Sequence, residues 1–291
     1  MDLLRDVLLL ANVDIAQASG CDTLYVPFAH FLLLCSRDHT GAADRQPDSC
    51  TKNPHAARRL NVTATENLAQ ACSQRDAFLI YISTDYVFPG IEGQAPYKAT
   101  DETRPPNIYG ETKRDGEDAV LRVTKGKNNA VVLRVPVLYG NVEPEDNNKE
   151  SAVNVLLDAL WKSQDKQGDE RVKMDDWAIR YPTNTSDIGR VCVDVAKYYN
   201  SNSGQDLPSI LQFSSEDRMT KYEICEKFSE IMGLPMDGLV PDKDGGRPGL
   251  DGTVRPYDCH LDTGELKKLG IDVSTVDFVA WWRRQVKAFR R

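Results

Sequence analysis

The apolar residues of this chain fall into short unbroken runs separated by helix-spaced stretches. Residues 78–82 (FLIYI) and Ala130–Val135 are near-continuous apolar segments, the second ending at Pro136. Runs of that kind suit strands buried on both faces of a parallel sheet. Leu60, Ala64, Leu68 and Ala71 are spaced for one helical face, which predicts a helix over residues 62–72. A second helix is predicted over 107–123, after a loop at 89–106 rich in proline, glycine and charge. Strand, helix and strand at this spacing imply a parallel sheet with right-handed crossovers.

Downstream the alternation continues with more loop. An amphipathic helix is expected over 152–162, behind the acidic loop 143–150, and another over 188–199, capped by Thr185 or Ser186. A short strand is expected at 210–213. Thr220-Lys221-Tyr222-Glu223 reads as a capping box opening a helix that stops at Gly233. Asp262 and Glu265 repeat that pattern, with a stop at Gly270. Residues 235–258 read as one long loop. A final helix over about 275–289 puts Phe278, Trp281, Trp282 and Phe289 mainly on one side and ends in Arg283, Arg284, Lys287, Arg290 and Arg291. In the first 41 residues, the apolar stretch 28–35 is compatible with a buried strand or a short helix.

Length and charge narrow the function classes. At 291 residues the chain can bury a sizeable core, and its net charge of −8 argues against nucleic acid as a partner. It has no unbroken apolar stretch long enough to span a bilayer, and residues 7–11 are too short and too weakly basic for a secretory leader. Seven scattered cysteines without a C-x-x-C pair fit free thiols in a cytoplasmic protein. The four histidines show no zinc-type spacing, so no metal is expected.

The candidate chemistry lies between the two apolar runs. Tyr109 and Lys113 are four apart and share a helix face. A tyrosine phenol, with an ordinary pKa near ~10, is a poor acid–base group at neutral pH. A neighbouring ammonium stabilises its phenolate. Thr84, at the end of the first strand, can orient a substrate oxygen, since such groups converge at strand ends of a parallel sheet. Taken singly, Tyr109 reads as an amphipathic-helix residue, Lys113 as a solvated lysine and Thr84 as a turn residue. Their order within Ser83-Thr84-Asp85-Tyr86-Val87-Phe88, Asn107-Ile108-Tyr109-Gly110-Glu111-Thr112-Lys113 and Leu138-Tyr139-Gly140 carries more weight.

With Gly116-Glu117, Arg134 and Arg255-Pro256 before Leu261-Asp262, these motifs resemble the extended short-chain dehydrogenase/reductase family, in its dTDP-4-dehydrorhamnose reductase branch. The finer resemblance is to regulatory β subunits of methionine adenosyltransferase. It rests on residues 42–48 (AADRQPD), Ser151-Ala152-Val153, Met174-Asp175-Asp176-Trp177, Arg180-Tyr181-Pro182-Thr183 and Met219-Thr220-Lys221-Tyr222-Glu223. The resemblance implies an α/β fold: a Rossmann-like doubly wound parallel sheet with a smaller C-terminal substrate-type lobe. It divides the chain into an atypical segment 1–41, the rest of the dinucleotide-binding domain over 42–150, and a mixed region over 151–291. It places Tyr109, Lys113 and Thr84 at reductase catalytic positions, and Ala43, Arg45, Tyr109, Lys113 and Leu138 where the family touches NADP. It implies a methionine adenosyltransferase catalytic subunit as partner, docked through Trp282, Arg283, Arg284, Gln285, Val286 and Phe289. The same residues taken alone read as an amphipathic helix packed on its own domain. The family's Gly-x-x-Gly-x-x-Gly turn, whose amides approach a pyrophosphate, has no match in residues 1–41. The sheet is therefore expected to be N-terminally incomplete and NADP binding weakened. The function implied is a non-catalytic regulatory subunit tuning S-adenosylmethionine synthesis; the alternative is an NAD(P)H-dependent reductase of a nucleotide sugar.

Overall fold

The computed structural model describes residues 31–34, 43–141, 148, 151–246 and 252–288. In chain order the strands are β1 Phe31–Leu34, β2 Phe78–Thr84, β3 Ala130–Val135, β4 Leu138–Tyr139, β5 Val172–Asp175, β6 Thr183–Asn184, β7 Ile210–Gln212 and β8 Leu239–Asp242. The α-helices are α1 Pro47–Lys52, α2 Pro54–Arg58, α3 Thr65–Gln74, α4 Ile108–Val123, α5 Asn154–Ser163, α6 Thr185–Ser201, α7 Lys221–Met232, α8 Gly264–Lys268 and α9 Phe278–Gln285.

The main sheet has the order β1-β2-β3-β7, and every pair in it is parallel. The unbroken apolar runs fall on β2 and β3, at the middle of that order, where both faces are covered. One face buries Ile80, Leu133 and Leu211 against Val191 and Val195 of α6. The other buries Leu79, Tyr81 and Val132 against Ala69 of α3 and Val120 of α4. The segment 28–35, open between strand and helix, contains β1, which runs parallel to β2 with Phe31 opposite Phe78 and Leu34 opposite Tyr81. The chain has the Rossmann-like α/β fold expected for it. Apart from β1, the segment 1–41, in which no glycine-rich turn is matched, lies outside the described residues.

A second core joins α5, α7 and α9 through Leu156, Leu160, Ile224, Phe228, Phe278, Trp281 and Trp282. Beside it β5 and β8 form a two-stranded parallel pair. That pair corrects the expectation of one continuous loop over 235–258. Two caps also differ from expectation. The amide of Ser186 is capped by the Asn184 side chain at 2.9 Å, rather than by Thr185 or Ser186. Asp262 accepts from the Gly264 amide at 2.8 Å, and α8 has no side-chain cap at Thr263, so the second capping box does not form. The first does: Thr220 and Glu223 satisfy each other's amides at 3.1 and 2.7 Å, and Gly233 ends α7 at φ 69°.

Candidate functional site

The end of β2 and the first turns of α4 are held together by close backbone approach. A Cβ on Gly110 would lie 2.2 Å from the Tyr86 carbonyl oxygen, and one on Gly116 would lie 2.4 Å from the Tyr81 hydroxyl. Glycine at both positions lets α4 press against β2 and the turn after it. Asn107 caps the helix, accepting the Gly110 amide at 2.9 Å, so the Tyr109 and Lys113 side chains leave from a fixed first turn.

The structure brings Thr84, Tyr109 and Lys113 to the same end of β2. Tyr109 packs edge-on against Tyr86, with ring centroids 5.9 Å apart. Burial pushes its phenol well above the ordinary tyrosine value; hydrogen bonding with Thr84 and the charge of Arg45 oppose that rise, while Asp85 and Cys50 add to it. The Lys113 ammonium donates to the Ile82 carbonyl at 2.7 Å and lies 4.2 Å from the centre of the Tyr81 ring. Lys113 is thus anchored to β2, and burial dominates the state of the phenol. Thr84 also donates to Asp85 at 3.0 Å and accepts from the Tyr86 amide at 3.2 Å. Asp85 is buried, which raises its carboxyl to about 6 even though the Arg180 charge, Thr84 and two backbone amides pull it down.

Of the other predicted contact residues, Ala43 is half-buried and Arg45 exposed, at the start of the segment leading into α1. That segment is tied to the site by Asn61, which accepts the Asp44 amide at 2.7 Å and donates to the Asp44 carbonyl at 3.0 Å and the Thr112 hydroxyl at 2.9 Å. Asn61 is wholly buried and sits in a π-helical turn, Arg59–Ala64, that interrupts the helical run before α3. Leu138 is half-buried on β4, opposite Thr183. In the C-terminal segment, Trp282 belongs to the chain's own second core, 3% exposed against Phe228 and Tyr139. Val286 is half-buried against the same core, whereas Arg283, Arg284 and Gln285 are exposed. Phe289 lies outside the described residues.

Two features of the site were not anticipated. Arg134 of β3 and Glu117 of α4 form a buried ion pair, each side chain 3% exposed. Arg180 sits against Tyr86, its guanidinium carbon 5.7 Å from the ring centre, and exerts its charge on Asp85. A charged residue inside an apolar strand was the available signal for the first pair, since buried charges are kept paired. Among the described residues, no group of three or more histidine, cysteine or acidic side chains could hold a metal, and no helix is long and apolar enough to cross a membrane.

Comparison with known proteins places this arrangement. Residues 39–289 match the RmlD substrate binding domain. Methionine adenosyltransferase 2 subunit beta of Xenopus tropicalis is 38% identical over 246 residues, covering 84% of this chain and 66% of that protein. The protein of the same name from Danio rerio is 38% identical over 237 residues, 81% of this chain and 68% of its own length. The chain thus spans about two thirds of these curated relatives (66% and 68%). The crystal structure of dTDP-4-dehydrorhamnose reductase from Bacillus anthracis in complex with NADP shares the fold, with a TM-score of 0.66 at 22% identity over 88% of this chain and 78% of that one. A Clostridium acetobutylicum structure of the same reductase type gives a TM-score of 0.70 at 21% identity, covering 98% of this chain and 86% of that one. The chain belongs to the RmlD substrate binding domain family, and its relatives there include proteins named methionine adenosyltransferase 2 subunit beta.

Proposed function

We propose that this chain is a regulatory subunit of methionine adenosyltransferase, binding the catalytic subunit and modulating S-adenosylmethionine synthesis. The observation that carries this reading is 38% identity, over about four fifths of the chain, to proteins named as the β subunit of that enzyme. The exposed Arg283, Arg284 and Gln285 at the end of α9 are the docking residues in this proposal, with Trp282 and Val286 holding them on the lobe from beneath. Docking through side chains of α9 leaves the fold intact, whereas deleting the helix would remove the buried Trp281 and Trp282.

The polar groups at one end of the site suit a nicotinamide dinucleotide such as NADP. In this reading Tyr109, Lys113 and the exposed Arg45 would hold a ribose and its phosphate, and the buried Ser83 hydroxyl, which has no hydrogen-bond partner among the described residues, is a further polar group at the end of β2. Bound there, the cofactor would supply a hydride. Tyr109 would hold the proton and Thr84 would orient the acceptor oxygen. The convergence of Thr84, Tyr109 and Lys113 favours a second reading, an NAD(P)H-dependent reductase of a nucleotide sugar.

Co-purification of the full chain with a methionine adenosyltransferase catalytic subunit, with and without NADP, tests the first reading. Association is expected, and a folded chain that fails to associate would overturn it. Oxidation of NADPH with a dTDP-4-keto sugar, abolished by Tyr109→Phe, would support the reductase instead.

A further inference from the structure

The two faces of the main sheet are not covered to the same extent. Leu211 of β7 is wholly buried on the α6 side, together with Val191 and Val195. Its neighbour Ile210 points to the opposite face, where it is half-buried at the margin of the core formed with α3 and α4. Those two helices lie over β2 and β3. Among the described residues, every α-helix after β3 packs elsewhere: α6 and α8 on the other face through Val191 and Leu266, and α5, α7 and α9 in the second core. The face of β7 beside α4 is therefore left open.

Two adjoining cavities, of about 870 and 200 Å³, occupy that space. Both are lined by Leu121 of α4 and by Leu207 and Pro208 in the segment leading into β7, and Ile210 lines the larger. These four residues make an apolar floor. The rim is acidic. Asp118 of α4 and Asp206 are exposed and make no ion pair among the described residues, and Asp101 accepts the Lys98 amide at 2.7 Å. The cations of the larger cavity are already neutralised, Arg134 by Glu117 at 2.7 Å and Arg114 by Asp115 at 2.9 Å. Lys125, on the smaller cavity, is the one cation in the walls without an ion pair among the described residues.

We propose that this groove is a docking surface for a lysine- or arginine-rich amphipathic helix of a protein partner. Such a helix lays its apolar stripe on the floor and presents flanking cations to the rim. Unpaired carboxylates on the rim attract it and repel acidic competitors. A helix in this place supplies the layer that β7 lacks on its open face. The chain's own residues 1–30 do not suit the rim, since they carry four aspartates and one arginine. A basic partner does, and the net charge of −8 adds long-range attraction. The groove shares no residue with α9 or with Thr84, Tyr109 and Lys113, so the proposal goes beyond the function assigned above and holds for a regulator and for a reductase alike.

Fluorescence anisotropy of the full chain at pH 7 tests it. The probes are the labelled peptide LKKLLKLLKKLLKL, a scrambled isomer without a helical stripe, and a form with every lysine replaced by glutamate. Saturable binding of the first is expected, at least tenfold weaker for the scrambled isomer and absent for the glutamate form. Asp118→Lys combined with Asp206→Lys is expected to weaken binding at least tenfold. Both side chains are exposed, and an unchanged thermal midpoint checks the fold. Glu92→Lys combined with Asp237→Lys makes the same charge change at exposed positions outside the groove, and is expected to change affinity by less than about threefold. Absence of binding to the wild-type chain, equal weakening in the two double variants, or equal affinity for the scrambled isomer would each overturn the proposal.

Discussion

Arg134 and Glu117 are joined by two parallel hydrogen bonds, Nε to Oε1 at 2.9 Å and Nη2 to Oε2 at 2.7 Å, with both side chains 3% exposed. The remaining guanidinium nitrogen reaches the Ala99 carbonyl at 3.3 Å and Gln212 at 3.4 Å, and the group lies 5.0 Å from the Phe88 ring centre. Gln212 in turn donates to the carbonyls of Tyr97 and Asp262 at 2.8 and 3.1 Å. One buried cation therefore links β3, α4, β7 and the loop before α4, and fixes the helix that carries Tyr109 and Lys113.

Removing one partner of this pair strands the other charge in the core. Arg134→Met and Glu117→Leu are each expected to destabilise the chain by about 3–5 kcal/mol, and the double variant by clearly less than the sum. Urea unfolding midpoints of the four proteins measure this. Single-variant losses below about 1 kcal/mol would mean that the pair does not organise the site.

Tyr109 is held protonated by burial despite its nearby lysine. In the cofactor-free chain, an ultraviolet titration is expected to show no phenolate from Tyr109 below about pH 10, the ordinary tyrosine value. The comparison is between wild type and Tyr109→Phe. A difference in phenolate absorbance appearing near neutral pH would show that Lys113 outweighs burial, and would strengthen the reductase reading.

Asp85 gives a pH dependence of definite sign. Its carboxyl is raised from 3.8 to about 6, so between those values the folded chain binds more protons than the unfolded one, and stability falls as pH rises through this window. A rise of that size corresponds to on the order of 3 kcal/mol. Asp85→Asn removes the titration, although it also alters the bond from Thr84. Relative to wild type, the variant is expected to gain stability as pH goes from 4 to 7. A difference between the two proteins that stays flat across this range would refute the assignment.

The legible parts of the sequence were those whose environment is uniform. β2 and β3 could be read because both faces are buried, and α7 because its capping box and its terminal glycine both form as local signals. β5, with the sequence VKMD, buries only Met174, and β8, with LVPD, buries only Leu239 and contains a proline. Neither carries an apolar run, so their pairing comes from tertiary contact that no local pattern records. Spacing put Tyr109 and Lys113 on one helix face and the apolar run put Thr84 at a strand end, while the weight on the three as a set came from the order of the surrounding motifs. The bonds from Asn61 to Asp44 and Thr112 were not visible, because they join residues 17 and 51 positions apart. The Arg180 Nη2, buried without a hydrogen-bond partner, was equally hidden, since only packing decides which charges remain unpaired.

The end of α9 separates folding from docking. Trp282 stacks with Tyr139 at 6.0 Å between ring centroids and meets Phe228 edge-on at 4.7 Å, while its indole Nε1 is buried without a partner. Trp282→Ala is expected to cost about 3–5 kcal/mol, as for a large aromatic cut from a core. Trp282→Phe should cost less, because it keeps ring contact and removes the orphan donor. Arg283 and Arg284 are exposed, so replacing both with alanine should change stability by no more than about 0.5 kcal/mol per site. If this helix docks on a catalytic subunit, the arginine double variant is expected to lose co-purification at unchanged thermal midpoint, whereas Trp282→Phe retains it. Full co-purification of the arginine variant would assign α9 to the lobe's own packing alone, and the docking surface would have to be sought elsewhere on the chain.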